Sequence, residues 1–164
     1  MKHIGQSVPR VDARSKVKGE AVFASDMTRP NQTFMKVLLA RRPHAVVKRV
    51  DTARAEALEG VLAVLTSRDV PANEFGYYSY EQAVLGGPCE KPYADRVRYV
   101  GDRVAAVIAE TEAIAQKALG LIEVEYEDLP AVCDMEDALR PDAPVLHPDV
   151  GSNQFGHHFL YNGD

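Results

Sequence analysis

Cysteine is scarce in this chain: Cys89 and Cys133 are the two among 164 residues, far apart and outside any C-x-x-C spacing. That scarcity excludes a zinc ribbon or an iron–sulfur cluster built from these residues alone, and a reducing, cytoplasmic compartment is expected. Long apolar runs are missing too. No stretch approaches the roughly 20 residues of a membrane span, and Met1-Lys2-His3-Ile4-Gly5-Gln6 has no apolar leader core, so no membrane association is expected. Charge of one sign never accumulates: 19 Lys and Arg face 24 Asp and Glu, a formal net charge of -5, with no block of five or six like charges. Phosphate binding needs a concentrated basic face, so nucleic acid is not an expected partner. Nucleotide-loop signatures are absent as well. Neither Gly86-Gly87-Pro88 nor Gly101-Asp102 fits G-x-x-x-x-G-K or G-x-G-x-x-G, and turn chemistry accounts for both. No internal repeat or low-complexity tract occurs.

What is present suffices for a core, since 46% of the residues are hydrophobic. One domain, alone or with a trailing segment, is expected from this length. Ala21-Val22-Phe23-Ala24 is an apolar pulse of strand length, and Arg29-Pro30-Asn31-Gln32 reads as a turn because Pro fixes φ and Asn tolerates left-handed geometry. Strands are expected at 34–40, 46–50 and 61–65, with a short helix at 53–58 that Asp51 or Thr52 caps and Gly60 ends. From Pro71 to Asp95 the rhythm breaks, with three prolines, three glycines and Tyr77, Tyr78 and Tyr80 clustered. A stretch of that kind is expected to face a partner, move or serve function.

The strongest local signals follow. Two apolar runs around Gly101-Asp102 have the form of a β-hairpin over 97–109. Thr111 offers an N-cap, and Ile114, Ala115, Ala118 and Leu119 share one face of a helix that ends at Gly120. Beyond it Ile122, Val124 and Tyr126 alternate with Glu123, Glu125 and Glu127, the pattern of a half-buried strand. A short strand at 131–133 and a helical turn around 136–139 are expected next, after which Pro141, Pro144 and Pro148 discourage regular structure.

Several side chains are candidates for chemistry, each with a plainer alternative. His44 beside Arg41 and Arg42 offers an anion or substrate contact, or else a solvated bend. His157-His158 suggests adventitious metal, yet adjacent histidines on a strand share no face and lack a third ligand, so a linker fits better. Glu123, Glu125 and Glu127 stand about 7 Å apart on one strand face. That spacing superficially suits acid/base work, but without the asymmetric burial that separates pKa values a solvated face is expected. The tyrosines at 77–80 either wall a funnel or subunit contact or cover the core.

Taken together, ordered segments resemble the xanthine dehydrogenase/aldehyde oxidase molybdenum hydroxylases, in the first domain of their large subunit. Val8-Pro9-Arg10-Val11-Asp12-Ala13 through Lys16-Val17-Lys18-Gly19-Glu20-Ala21 is similar to the family's opening motif. Arg42-Pro43-His44-Ala45 resembles its Ser-Pro-His-Ala turn, with Arg42 in place of the serine. Gly60-Val61-Leu62-Ala63-Val64-Leu65-Thr66 with Asp69-Val70-Pro71, then 97–111 and 122–130, resemble the next signatures in family order.

The resemblance implies an α+β fold, the α/β hammerhead: mixed β-sheet structure with a β-hairpin, a strand-helix-strand unit and two or three short helices. It implies an extension at 1–20 packing on a domain at 21–140, with 141–164 as a linker toward a molybdopterin-binding domain, since Tyr161-Asn162-Gly163-Asp164 is similar to the point where family members continue. For the whole enzyme it implies a molybdopterin-bound metal that delivers oxygen from water to an electron-poor carbon. A glutamate acts as base there, and electrons leave through [2Fe-2S] centres to FAD. The implied partners are the downstream molybdopterin-binding domains of the same subunit and the iron–sulfur and FAD subunits or domains. None of the family's catalytic, cofactor or metal motifs matches residues 1–164, so no such residue is carried over, and this stretch alone is expected to be inactive. Purine, nicotinate-like, aldehyde, aromatic coenzyme A thioester and carbon monoxide enzymes share the domain, and nothing in these residues chooses among them.

Two other classes compete with this reading. A stand-alone binding or assembly module, such as a lipoyl- or biotinyl-type carrier, would need an exposed lysine at a hairpin tip, and Met35-Lys36-Val37 is the nearest string. A small acid/base enzyme using Asp or Glu with His44 or His147 would need an ordered nucleophile, base and orienter.

Overall fold

The structure is a computed structural model that describes residues 4–71, 91–154 and 161–163. It divides into two compact units, Met1–Gln32 and Thr33–Asp164. In the first, α1 spans Ala13–Val17. Asp12 precedes it and is held by Arg10 at 2.5 Å and Lys16 at 2.6 Å, which keep its carboxyl below the usual range. The strand expected at Ala21–Ala24 does not form. The Asp26 carboxylate instead accepts the Phe23 N–H at 2.9 Å and winds Ala24–Asp26 into a 3-10 turn, a local bond that wins where no neighbouring strand pairs. The turn at Arg29–Gln32 forms as read, with Gln32 N–H donating to Arg29 O at 3.2 Å and Asn31 at φ 59.

The second unit holds β1 (Phe34–Leu39), β2 (Ala45–Asp51), α2 (Ala53–Glu56), β3 (Val61–Thr66), β4 (Arg96–Val97), β5 (Arg103–Ala109), α3 (Glu112–Leu119), β6 (Glu123–Asp128) and α4 (Met135–Ala138). The described strands make two three-stranded antiparallel sheets, one ordered β1-β5-β3 and the other β4-β2-β6. Successive strands therefore alternate between the sheets. The mixed α+β fold is the expected one, but the β-hairpin at 97–109 is not formed. β4 pairs with β2 while β5 pairs with β1 and β3, so Gly101-Asp102 is a corner between sheets.

The corner is built by Asp102, 5% exposed, whose carboxylate accepts the N–H of Arg98 at 3.2 Å and of Arg103 at 2.9 Å. Its carbonyl accepts Ala40 N–H at 2.7 Å, and Gly101 N–H returns to Ala40 O at 2.9 Å. Gly101 sits at φ +106, a backbone state that L side chains rarely adopt.

α3 forms as its sequence dictates. Thr111 Oγ1 accepts Ile114 N–H at 3.2 Å, and Ala115 and Ala118 are fully buried, so the helix lies close on β1 and β5. The first core cluster joins these alanines to Ala105, Val107 and Ala109 of β5, with Val64 and Ala55. A second gathers Ala40, Ala45, Ala94, Val97 and Val104, with Val47 and Tyr126 against it. Val50 and Val124 pack on both clusters and so join the two sheets. Each fully buried valine contributes on the order of 1.5–3 kcal/mol. Residues 131–133 form no strand. α4 follows them, its N-cap Asp134 accepting Glu136 N–H at 2.8 Å and Asp137 N–H at 3.1 Å.

Candidate functional site

His44 is neither of the things its sequence context offered. It is 3% exposed, and its Nδ1 lies 2.7 Å from Pro130 O while Nε2 faces an Arg96 guanidinium nitrogen at 3.4 Å. The tautomer with hydrogen on Nδ1 satisfies both, donating to the carbonyl and accepting from the arginine. Its own carbonyl accepts Leu129 N–H at 3.0 Å. The physical reason is topology: Ala45, the next residue, pairs with Val97 on one side and Asp128 on the other, so His44 stands directly before the strand that lies between two others in its sheet. The two neighbouring arginines serve different places, Arg41 lining a cleft beside β1. Arg42 reaches Asp128 at 3.3 Å and lies 5.9 Å over the Tyr126 ring, whose phenol burial pushes up against the opposing pull of Arg42.

Glu123, Glu125 and Glu127 are exposed, as expected, on edge strand β6. Glu123 pairs with Arg54 at 2.9 Å and Glu127 with Lys48, so two of them hold surface ion pairs across elements. Lys36 lies inside β1, where its Nζ meets Glu112 at 2.5 Å and holds that carboxyl below its usual range. A mid-strand, ion-paired lysine lacks the free hairpin-tip position that a carrier needs. Cys133 is exposed and free, and His147 lies in the loop that follows α4. Tyr77, Tyr78, Tyr80, Gly86-Gly87-Pro88, Cys89 and His157-His158 fall outside the described residues.

A cleft of about 480 Å³ opens between β1 and the end of α3, lined by Lys36, Arg41, Gly101, Gln116, Leu119 and Gly120 among others. Its lining brings together no acid, base and nucleophile that could run a reaction. Among the described residues, no group of three or more His, Cys, Asp or Glu is placed to hold a metal ion. An iron–sulfur cluster needs several thiolates, and Cys133 is the one cysteine among the described residues, so these side chains do not fit such a cluster. What the geometry offers is a scaffold with shaped, charged surfaces.

Comparison with known proteins gives that scaffold its context. Residues 18–130 match the family model described as aldehyde oxidase and xanthine dehydrogenase, a/b hammerhead domain. The chain is 48% identical over 156 residues to a probable xanthine dehydrogenase subunit of Bacillus subtilis (strain 168), covering 94% of this chain and 20% of that protein. It is 36% identical to the nicotinate dehydrogenase large molybdopterin subunit of Eubacterium barkeri, covering 94% of this chain and 35% of that one. The crystal structure of the aldehyde oxidoreductase from Desulfovibrio desulfuricans ATCC 27774 superposes with a TM-score of 0.80 at 31% identity, covering 93% of this chain and 17% of that chain. The chain thus spans about a fifth and about a third of the two curated relatives.

Proposed function

We propose, because this chain belongs to the aldehyde oxidase and xanthine dehydrogenase family as its a/b hammerhead domain, that it is the structural amino-terminal part of a molybdenum-dependent oxidoreductase. In this reading it packs against the molybdopterin-binding domains of the same subunit, reached through 141–164, and helps shape the path to the metal. The full enzyme hydroxylates a heteroaromatic or aldehyde carbon, or reduces an aromatic coenzyme A thioester. Molybdopterin supplies the oxygen-transfer chemistry, while [2Fe-2S] and FAD partners carry electrons away, all in the cytoplasm. The residues of this chain contribute packing and surface, not catalysis.

The observation that carries the reading is the match of residues 18–130 to that domain, joined to the likeness of the fold to the aldehyde oxidoreductase structure. Among the described residues, no helix is long and apolar enough to cross a membrane. Metal analysis and an absorption spectrum of the purified chain test the proposal. Substoichiometric molybdenum, iron and flavin, with no dehydrogenase activity on purines, nicotinate or aldehydes, is expected. One molybdenum per chain, or turnover by residues 1–164 alone, overturns it.

A further inference from the structure

We infer that residues 138–153 are a closed loop clasped by one side chain, Asn153, and docked on the domain by Arg98, and hence a rigid part of the domain rather than a flexible connector. The Asn153 amide is used in three directions: Oδ1 accepts Leu146 N–H at 2.9 Å, and Nδ2 donates to Ala138 O at 3.1 Å and to Pro144 O at 2.9 Å. The Ala138 bond ties the two ends of the loop together across 15 residues of chain, and the other two reach its middle. Compact loops of about 6–16 residues with joined ends are a recognised Ω class.

Arg98, directly after β4, donates from Nε to Leu146 O at 3.1 Å, so both backbone polar groups of Leu146 are engaged, one by the clasp and one by the domain. Pro141, Pro144 and Pro148 have no N–H to give, and the asparagine supplies bonds that this backbone cannot make for itself. The same prolines lower the entropy lost when the loop is fixed. If the functional reading above holds, the clasp also fixes where the chain sets out toward the following domains. That use rests on the reading; the clasp does not.

Hydrogen exchange by mass spectrometry, with timed chymotrypsin cleavage after Leu146, tests the inference on residues 1–164 carrying Asn153→Ala or Asn153→Asp. The aspartate keeps an acceptor for Leu146 N–H but loses both donations. In Asn153→Ala, which loses all three bonds, peptides from 139–153 should exchange at least about fivefold faster, the scale of a single lost hydrogen bond, and Leu146 should be cut sooner, with β5 peptides unchanged. Asn153→Asp should be cut at Leu146 sooner than the wild type, while exchange at Leu146 N–H stays slower than in the alanine variant. Wild-type exchange and cleavage in Asn153→Ala overturns the clasp. Should that variant speed up β5 as well, Arg98→Met carries the test: faster exchange confined to 145–147 supports docking, and unchanged exchange refutes it. Neither readout depends on molybdenum content, so the clasp and the functional reading fail separately.

Discussion

His44 holds two segments that are remote in sequence, and its loss should be felt as a buried defect. Alanine there leaves Pro130 O without its donor and Arg96 without its acceptor, a cost of roughly 1–3 kcal/mol. Asparagine, whose Nδ2 stands near the place of Nδ1, should recover part of it. Urea unfolding at constant m-value checks both, and an alanine variant with the wild-type midpoint would mean that these bonds contribute nothing net. Asp69 gives a second prediction at this scale. Its carboxylate accepts Thr66 Oγ1–H at 2.7 Å and Thr66 N–H at 2.8 Å, and those two bonds, the hydroxyl's first, hold its pKa below the ordinary value. A depressed carboxyl contributes stability that is complete above the unfolded value and is lost as pH falls through the folded one. Asp69→Asn should therefore flatten the acid limb of a melting-temperature profile while leaving its neutral-to-alkaline slope unchanged. An acid limb as steep as that of the wild type would remove Asp69 from the explanation.

Among the elements, α3 is the one whose making is most local. Thr111→Ala removes the cap on Ile114 N–H and should cost about 1 kcal/mol, with Thr111→Ser nearly neutral. Chemical denaturation of the two variants separates capping from packing, because only capping distinguishes Ala from Ser in this way. What the sequence disclosed follows the same division between local and distant causes. Thr111, the Ile114/Ala115/Ala118/Leu119 face and the Ile122/Val124/Tyr126 alternation depend on neighbours a few residues away, and helix and strand stand where their period puts them. Gly101-Asp102 has the local chemistry of a turn and is one, but which strands flank a turn as partners is decided by β1, β2 and β3, some 40–70 residues upstream. The burial of His44 was hidden for that reason too: only the placement of β2 between β4 and β6 surrounds it. The Asn153 clasp was masked by its prolines, which mark irregular backbone without saying whether a side chain holds it. The family was legible because short motifs in fixed order survive where topology cannot be read.

For the whole molecule, the alternation of strands between two sheets has a mechanical consequence. β1, β2 and β3 all lie before residue 72 and β4, β5 and β6 all after residue 90, and each of the observed pairings, β1 with β5, β3 with β5, β2 with β4 and β2 with β6, crosses that divide. Among the described strands, neither side owns a native ladder. Folding must therefore close long loops before any sheet is rewarded, which favours slow, all-or-none behaviour over stepwise assembly. Fragments 1–71 and 72–164, made separately, should show no native β circular dichroism and should regain it on mixing at equal stoichiometry. A native-like spectrum from either fragment alone would contradict this. A chain built in this way is two complementary halves that happen to be covalently joined: a nick in the middle should leave a pair able to reassemble, whereas loss of either half leaves the described strands of the other without a partner.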